Sequence, residues 1–415
     1  MVLTSKMEIQ KLESKNSKKS ITDMGLDVDN AYRITEKIAF PRLVGSEGEK
    51  KAIKIVLDEF KNAGYNSISQ DTFRTSLHIW IYIRYIFLIL GSGLILLALS
   101  FYLTPFLTLG IIVVGFCFSS RVLKVSTSTE IKLSKNERYN FSTENVFVNL
   151  KSKNSKCKVV FIGHWDSKSQ TFSPSTRIAI FLIFILGSLI IYLLYFILSI
   201  LKIFMSLNIP ILSNVLLDIC IVIASVGALN YFNKTSNKSN GAFDNAAAVG
   251  TIIELARYYK ENPLDNIDLV FLSTGSEELN LGGAVHFIKR YKNEFEKNST
   301  FFINLDLIGG TEAIRLTTSY GIPRKISSVK LNNLFINSAE ELKIKIKDIY
   351  SPSGVWSDFM PIVQEGFEAC WIGSEPGLKF VHTINDTMNL VSKEGIKNAL
   401  FLCKDVVEKL DKEFN

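Results

Sequence analysis

The hydrophobic positions of this chain concentrate in two long blocks, at about residues 77–120 and 176–232. An uncharged apolar run of about 20 residues can cross the hydrocarbon core of a membrane as a helix. One such run alone also fits a buried core helix, but four runs arranged in two pairs predict two transmembrane hairpins. The four candidate spans are residues 85–103, 106–120 (short without its flanks), 178–201, and 209–232, which contains Asp218 as its only charge.

Outside these blocks, segments of helical periodicity alternate with short apolar runs such as "CKVVFIG", "IDLVFLST" and "TFFINLDL". Helices alternating with short strands are typical of a mixed α/β sheet covered by helices on both faces. We therefore predict one α/β domain that is interrupted twice by a hairpin. Its parts are residues 28–76, 123–176 and 233–415, with the hairpins at 77–122 and 177–232 and a basic, disordered tail at 1–27.

The charges that flank the spans predict an orientation. Because each hairpin returns the chain to the side it left, residues 1–76, 121–176 and 233–415 should share one face of the membrane. The far-side turns carry only Lys202, whereas several Lys and Arg flank the spans on the near side. Positive residues favour the cytoplasm, so we expect an integral membrane protein with a cytoplasmic α/β domain. The Lys-, Asn- and Ile-rich composition suggests a bacterial cell membrane, and no secretory signal is expected because no apolar stretch follows the basic start.

Composition excludes some other functions. The net charge of +7 owes much to lysines in the first twenty residues, which lack interleaved aromatic residues and Arg, so nucleic-acid binding is not expected. The five cysteines show no C-x-x-C spacing, which argues against both a disulfide framework and a thiolate zinc site. The oligomeric state is left open by the sequence.

Polar side chains follow three of the predicted strands where each strand ends, and two more candidates lie outside strands. The carboxyl ends of strands in an open α/β sheet collect ligands, so we expect these side chains to lie together. They are His164 and Asp166 after "KVVFIG", Glu277 and Glu278 after "DLVFLST", Asp306 at the end of "FFINL", Asp244 where it would cap a helix, and His382 in a late loop.

This set of imidazoles and carboxylates indicates a metal site. Burying so many carboxylates together is unfavourable unless cations neutralise them. Imidazole with carboxylate suits zinc, with cobalt or manganese as substitutes. Five ligands that include one shared carboxylate suit two ions about 3.5–4 Å apart. The cofactor prediction is therefore two Zn²⁺ per chain.

Each member also has an ordinary interpretation. His-x-Asp is a weak signal alone, adjacent glutamates are common at helix starts, and Asp244 could be simply a helix N-cap. The joint pattern favours chemistry, because the chain has only four histidines and two of them fall in the set. We expect the other two, His78 and His286, to be structural.

The order of these motifs resembles that of the co-catalytic di-zinc aminopeptidases of metallopeptidase family 28, which includes bacterial leucyl aminopeptidases and glutamate carboxypeptidases. The resemblance runs from about residue 28 to the end of the sequence, leaving out both hairpins. It is carried by "FPRLVGSEGEKKAIKIVLDEFKNAGY", "NVFVNL", "GHWDS", "GAFDNAAAVG", "STGSEELNLGGAVHF", "INLDLIGG", "SDFMPIVQEGFEACWI" and "VHTINDT".

The resemblance implies a role for each residue. Glu277 would be the general base, and Asp166 would hydrogen-bond a histidine ligand and fix its orientation. Asp244 would bridge the two metal ions. The full implied ligand set is His164, Asp244, Glu278, Asp306 and His382.

Three features depart from the family pattern. Phe359 stands where the family often has histidine after Ser-Asp, which puts substrate contacts there in doubt. Trp165 is a bulky spacer within His-x-Asp and could form a pocket wall. The two hairpins are the largest departure, and the second interrupts the loop between Asp166 and Asp244.

The resemblance, together with the two predicted hairpins, implies a membrane-anchored zinc exopeptidase, most simply an aminopeptidase, that hydrolyses peptides, including peptides at a membrane. Two alternatives stay open. One is a catalytically inactive receptor- or scaffold-like relative, which the complete set of ligand positions disfavours. The other is an acyl transferase similar to glutaminyl cyclases, which use a related fold with one zinc. The substrate side chain and the choice between aminopeptidase and carboxypeptidase action are not predicted.

Overall fold

A computed structural model describes residues 25–126, 130–205, 209–352, 357–376 and 379–415. The predicted tail therefore lies almost wholly outside the described residues. The remaining chain builds a nine-stranded mixed sheet. Its strands are β1 (Ser69–Ser76), β2 (Asn140–Leu150), β3 (Cys157–His164), β6 (Ile267–Thr274), β7 (Thr300–Leu305), β8 (Ile314–Tyr320), β9 (Lys325–Ile326), β10 (Ile346–Ser351) and β11 (Glu368–Ser374), while β4 (Ser169–Gln170) and β5 (Thr235–Ser236) form a small separate pair.

The strand order is β1-β2-β6-β3-β7-β11-β8-β10, with β9 paired to β8. The central strands β6, β3, β7 and β11 run parallel, whereas β2 joins β6 and β8 joins β11 in antiparallel fashion. Strand β3 has consecutive apolar residues from Val159 to Ile162 because both of its faces are buried. Val159 and Phe161 face one core while Val160 and Ile162 face the other, because helices cover both sheet faces.

The helices divide between the two faces of the sheet. Those that pack on the larger core are α1 (Val28–Ile38), α2 (Glu47–Asn62), α7 (Ala247–Glu261), α9 (Val329–Glu341) and α11 (Lys393–Glu413), and those on the smaller core are α8 (Gly282–Tyr291) and α10 (Phe359–Gln364). The predicted mixed sheet with helices on both faces is thus confirmed.

Local sequence explains where several of these helices begin and how closely they pack. Ser46 caps α2 by accepting a hydrogen bond from the Glu49 amide, and Asp27 caps α1 in the same way. Gly250 lets α7 approach α1, since a β-carbon there would lie 2.4 Å from the Ala31 carbonyl oxygen. Packing this close fixes the start of α7, which follows Asp244, against the first helix.

Four helices are long and apolar enough to cross a membrane: α3 (His78–Leu103), α4 (Pro105–Ser126), α5 (Pro174–Met205) and α6 (Pro210–Ala228), the last extended by a 3₁₀ turn to Phe232. They form two hairpins packed around a third apolar cluster that includes Leu97, Phe101, Phe184 and Tyr195. Asp218 is exposed on the outer side of α6.

The first and third of these helices begin earlier than their predicted spans. α3 starts at His78 rather than residue 85, and α5 starts at Pro174 rather than residue 178. The added turns contain Trp80 and Arg177, whose polar atoms bond to the α/β domain. Hydropathy identifies only the apolar part of each helix. The helices themselves extend by one or two turns beyond it, to where they contact the α/β domain.

Candidate metal centre

The predicted residues meet at one edge of the sheet because three neighbouring strands end there. β3 ends in His164, the parallel strand β6 leads into Glu277 and Glu278, and the parallel strand β7 leads into Asp306. Two loops bring Asp244 and His382 to the same edge, and all of these side chains are at least largely buried. The structure therefore brings together all five metal ligands that were predicted from the sequence.

One cluster consists of His164, Asp244 and Asp306, whose candidate ligand atoms all lie within 4.8 Å of one another. His164 Nε2 is 3.3 Å from Asp244 Oδ1 and 3.7 Å from Asp306 Oδ1. Both His164 Nε2 and Asp306 Oδ1 are buried without a hydrogen-bond partner among the described residues. Buried polar atoms rarely stay unsatisfied, so these two atoms are candidates to bind an ion. We call the group of His164, Asp244 and Asp306 the open cluster.

The electrostatics of the open cluster favour a cation. Burial disfavours the His164 imidazolium, but the nearby carboxylates, Glu277 foremost, outweigh it and raise the pKa of His164 well above its usual value. Burial also raises the pKa of Asp306, against the opposing contact with His164. The imidazole nitrogen of His164 and one carboxylate oxygen each from Asp244 and Asp306 form a donor set that fits zinc.

A second cluster consists of Asp244, Glu278 and His382. His382 Nε2 lies 3.2 Å from Asp244 Oδ2 and 3.0 Å from Glu278 Oε2. Asp244 therefore presents Oδ1 to one cluster and Oδ2 to the other, which is the arrangement that a bridging carboxylate needs. That these five side chains bind metal stays a prediction.

The predicted N-cap role of Asp244 is wrong. Helix α7 begins at Ala247, and Asp244 itself has non-helical backbone angles. Its segment is held instead by Asp386, whose carboxylate accepts hydrogen bonds from the Phe243 amide at 2.7 Å and the Asp244 amide at 3.1 Å. Burial, with repulsion from Asp244, raises the pKa of Asp386 to about 7.

Asp386 is a residue that sequence reasoning missed, although it stands within the quoted motif "VHTINDT". The same loop thus supplies His382 to the second cluster and clamps the segment that carries Asp244. Its position four residues after His382 was the only sequence feature that pointed to Asp386. The amides that it binds, those of Phe243 and Asp244, are remote in sequence.

Asp166 contacts His164 in a different way from the one expected. His164 Nδ1 lies 3.1 Å from the main-chain carbonyl oxygen of Asp166 and 3.6 Å from its carboxylate. The carboxylate accepts hydrogen bonds from the amides of Glu277 at 3.1 Å and Glu278 at 3.2 Å. Asp166 thereby holds the ends of two adjacent strands in register, with the histidine on one and the paired glutamates on the other.

Glu277 lies beside the open cluster, with Oε2 3.9 Å from His164 Nε2 and only 10% of its side chain exposed. Burial raises the pKa of Glu277 well above its usual value despite the nearby imidazole, and repulsion from Glu278 and Asp306 acts in the same direction. A carboxylate with a raised pKa at this position is suited to exchange a proton with a bound molecule.

Arg42, from the motif "FPRLVGS", ties the two loops of the centre together. Its buried guanidinium donates to the carbonyl oxygens of Trp165, Asn240 and Gly241. These bonds connect the turn after β3 to the segment before Asp244, which the second hairpin separates in sequence. Arg42 was not among the predicted site residues, because the carbonyl groups that it binds are remote from it in sequence.

The two single-residue departures from the family pattern are core residues. Trp165 is fully buried in the larger core, so it forms no pocket wall. Phe359 is fully buried against Trp371 and Tyr320, so it makes no contact with a substrate. The remaining histidines have structural contacts, as expected: His286 lies 3.1 Å from Asp71, and His78 stacks on Tyr82.

Ser357, from the quoted "SDF" segment, fixes the orientation of Asp306. Its hydroxyl donates to Asp306 Oδ2 at 2.5 Å and accepts from Asn304 Nδ2. This leaves Asp306 Oδ1 aimed at the open cluster. Outer hydrogen bonds of this kind orient metal ligands and typically change affinity by about 10–100-fold.

We therefore expect Ser357→Ala to lower zinc affinity about 10-fold, because Asp306 would lose the bond that orients it. Zinc competition against a chelating dye measures the effect. Ser273→Ala is a matched control, since its buried hydroxyl on β6 has no hydrogen-bond partner among the described residues. Equal zinc affinity in the two variants would contradict the assigned role.

Comparison with known proteins shows similarity to one peptidase family. The sequence model of peptidase family M28 matches residues 225–407. The aminopeptidase YwaD of Bacillus subtilis (strain 168) is 29% identical over 175 residues, which are 39% of this chain and 36% of that protein. The predicted resemblance to peptidase family M28 is confirmed. The match spans only about a third of the curated relative.

Solved structures agree with the M28 fold. BSAP, a zinc aminopeptidase from Bacillus subtilis, matches with a TM-score of 0.53 and 14% identity, over 94% of this chain and 96% of that one. A glutaminyl cyclase from an Acidobacteriales bacterium matches with the same TM-score, identity and coverages. At such identities the likeness shows the fold alone, and it confirms the predicted zinc aminopeptidase-like α/β class.

Proposed function

We propose that this M28 protein is a membrane-anchored, zinc-dependent exopeptidase, most simply an aminopeptidase. The observation that carries the proposal is the pair of clusters that share Asp244, with Glu277 beside them. The match to an aminopeptidase over part of the chain supports the same activity. Peptides, including peptides at a membrane surface, would be its substrates.

Two zinc ions would be held by His164, Asp244 and Asp306 on one side and by Asp244, Glu278 and His382 on the other. When bound, zinc supplies a Lewis acid that polarises a peptide carbonyl and acidifies water. The unsatisfied atoms His164 Nε2 and Asp306 Oδ1 support this assignment, since they are buried where a cation would satisfy both.

Glu277 would move the proton during hydrolysis. Its carboxylate takes a proton from the attacking water, and the hydroxyl oxygen forms the new bond to the peptide carbonyl carbon. The same carboxyl group then gives that proton to the departing amine as the C–N bond breaks. Asp166 supports this role because it holds the Glu277 amide and the neighbouring Glu278 amide in place.

The two hairpins would anchor the enzyme in a bacterial cell membrane with the centre on the cytoplasmic face. Four helices of sufficient length and hydropathy support the anchoring, and the basic residues near their domain-side ends support the orientation. Trp80 at the start of α3 and Arg177 at the start of α5 contact Glu278 and His382. The centre would therefore lie close to the bilayer surface.

A glutaminyl cyclase-like acyl transfer is a second candidate, favoured by the solved cyclase of similar fold. In that reaction the substrate's own amino group, rather than water, attacks a side-chain amide. An inactive scaffold is disfavoured, because the two clusters and Glu277 are all present in one place. Product analysis separates the three possibilities.

The test uses the full chain purified in detergent and saturated with zinc. We expect two zinc ions per chain, release of the first residue from peptides with a free amino terminus, and no cleavage when that amine is blocked. Activity should be lost on chelation and return with zinc. Cyclisation of amino-terminal glutamine without hydrolysis would favour the acyl transferase, and absence of both zinc and hydrolysis would refute the proposal.

A further inference from the structure

The two clusters differ in how their ligand atoms are satisfied. The open cluster leaves His164 Nε2 and Asp306 Oδ1 without hydrogen-bond partners among the described residues. In the second cluster, Glu278 Oε2 already has a cation beside it, since Lys168 Nζ lies 2.7 Å away. Both side chains are almost fully buried, at 5% and 2% exposure.

Lys168 is held in this position by several contacts. Its Nζ also donates to the Glu278 carbonyl oxygen at 3.2 Å, and its own amide donates to Glu278 Oε1. The ammonium group lies 4.2 Å from the centre of the Trp80 ring, an arrangement that attracts a cation. Trp80 Nε1 in turn donates to the same Glu278 carbonyl at 2.8 Å. A metal ion could therefore not displace this cation without breaking a buried network.

The second imidazole is also arranged differently from the first. Arg177 NH2 lies 3.0 Å from His382 Nδ1, and a guanidinium group can only donate. Nδ1 must then accept, so the neutral ring carries its hydrogen on Nε2, the atom that faces Asp244 and Glu278. Binding metal through Nε2 would require the other tautomer and the loss of the Arg177 bond.

His164 has the opposite arrangement. Its Nδ1 faces the carbonyl oxygen of Asp166 at 3.1 Å, and a carbonyl can only accept. Nδ1 therefore carries the hydrogen, and the lone pair of Nε2 is available to bind a metal. Fixing the tautomer by a hydrogen bond to the far nitrogen is how proteins prepare a histidine ligand.

We propose that the metal centre is unequal: the open cluster holds zinc tightly, whereas Lys168 and Arg177 make the second cluster a weak, exchangeable site. Lys168 competes for the Glu278 carboxylate and repels a divalent ion, while Arg177 stabilises the tautomer of His382 that cannot bind one. Trp80 and Arg177 both belong to the hairpins, so the hairpins set the affinity of the second site. The inference rests on the proposed zinc-dependent function.

The experiment is a zinc titration of the full-length protein in detergent against chelating dyes of graded affinity, with hydrolysis measured in parallel. We expect two classes of site whose dissociation constants differ at least about 10-fold, the range that outer-shell contacts cover. Lys168→Met should tighten the weaker class about 10-fold and leave the tighter class unchanged. The control Lys238→Met, at an exposed lysine, should change neither class.

Ligand variants keep the inference testable if Lys168→Met fails to fold. His164→Ala should remove the tight class, and His382→Ala should leave it intact. Two equal classes in the wild-type protein, or loss of the tight class in His382→Ala alone, would overturn the inference while the proposed peptidase activity stands. Unequal classes without any peptide hydrolysis would support the inference and refute the proposed function.

Discussion

Replacement of Glu277 by glutamine is expected to lower peptide hydrolysis by about 10²–10⁴-fold without loss of zinc. Glutamine keeps the size of the side chain and its place beside His164, where Glu277 Oε2 is 3.9 Å from Nε2. It cannot take a proton from water or return one to a leaving amine. The measurement is hydrolysis rate at saturating peptide, together with metal content on the same preparation.

Glu278→Gln is the matched comparison, because it makes the same chemical change one residue away. Glu278 lies in the second cluster, 3.0 Å from His382 Nε2, so its replacement should lower the zinc content rather than only the rate. A Glu277→Gln variant that loses zinc in the same way would mean that Glu277 is itself a ligand. Unchanged hydrolysis in Glu277→Gln would remove Glu277 from the proton path.

The sheet edge that carries the centre could be predicted because its determinants are local. β3, β6 and β7 are short apolar runs, each followed at once by a histidine or an acid, and parallel neighbours bring their ends together. The carboxyl-end rule for α/β sheets then suffices to place His164, Glu277 and Asp306 in one group. That step needs only the expectation that these strands lie in one parallel sheet, and no individual side-chain contact.

The setting of Asp244 could not be predicted, because it depends on partners far away in the chain. An acid ahead of an apolar helical segment is a normal N-cap pattern. In the folded chain, however, Asp386 binds the Asp244 amide, and the side chain of Asn245 donates to the Leu305 carbonyl at 2.9 Å. These long-range bonds override the local preference and turn the carboxylate toward both histidines.

The basic residues of the second cluster were missed for a related reason. Lys168 is an ordinary lysine in the sequence after "HWDS", and Arg177 looks like a flanking charge of a membrane span. Lys168 meets Glu278 because the segment after β3 folds over the end of β6, and Arg177 meets His382 where the start of α5 contacts the domain. Trp80 was likewise outside the predicted span, since hydropathy does not register a helix turn that bonds to a neighbouring domain.

Replacement of Asp244 by asparagine is expected to weaken zinc binding at both sites by more than about 100-fold, beyond the usual effect of losing an outer hydrogen bond. The wild-type carboxylate faces His164 with Oδ1 and His382 with Oδ2. Although burial opposes ionisation, the contacts with the two imidazoles hold the pKa of Asp244 well below its usual range. Asparagine has neither the charge nor a second oxygen to share between two ions.

Variants that change a ligand of only one cluster provide a comparison, and zinc content is measured for each variant. Asp306→Asn should affect only the open cluster and His382→Ala only the second cluster, whereas Asp244→Asn should affect both. Asp268→Asn is a control for changing a buried carboxylate, because Asp268 lies at the opposite end of β6 and pairs with Lys151. It should leave zinc binding unchanged. If Asp244→Asn released only one ion, the carboxylate would belong to one cluster, and His164 and His382 would then serve separate ions without a bridge.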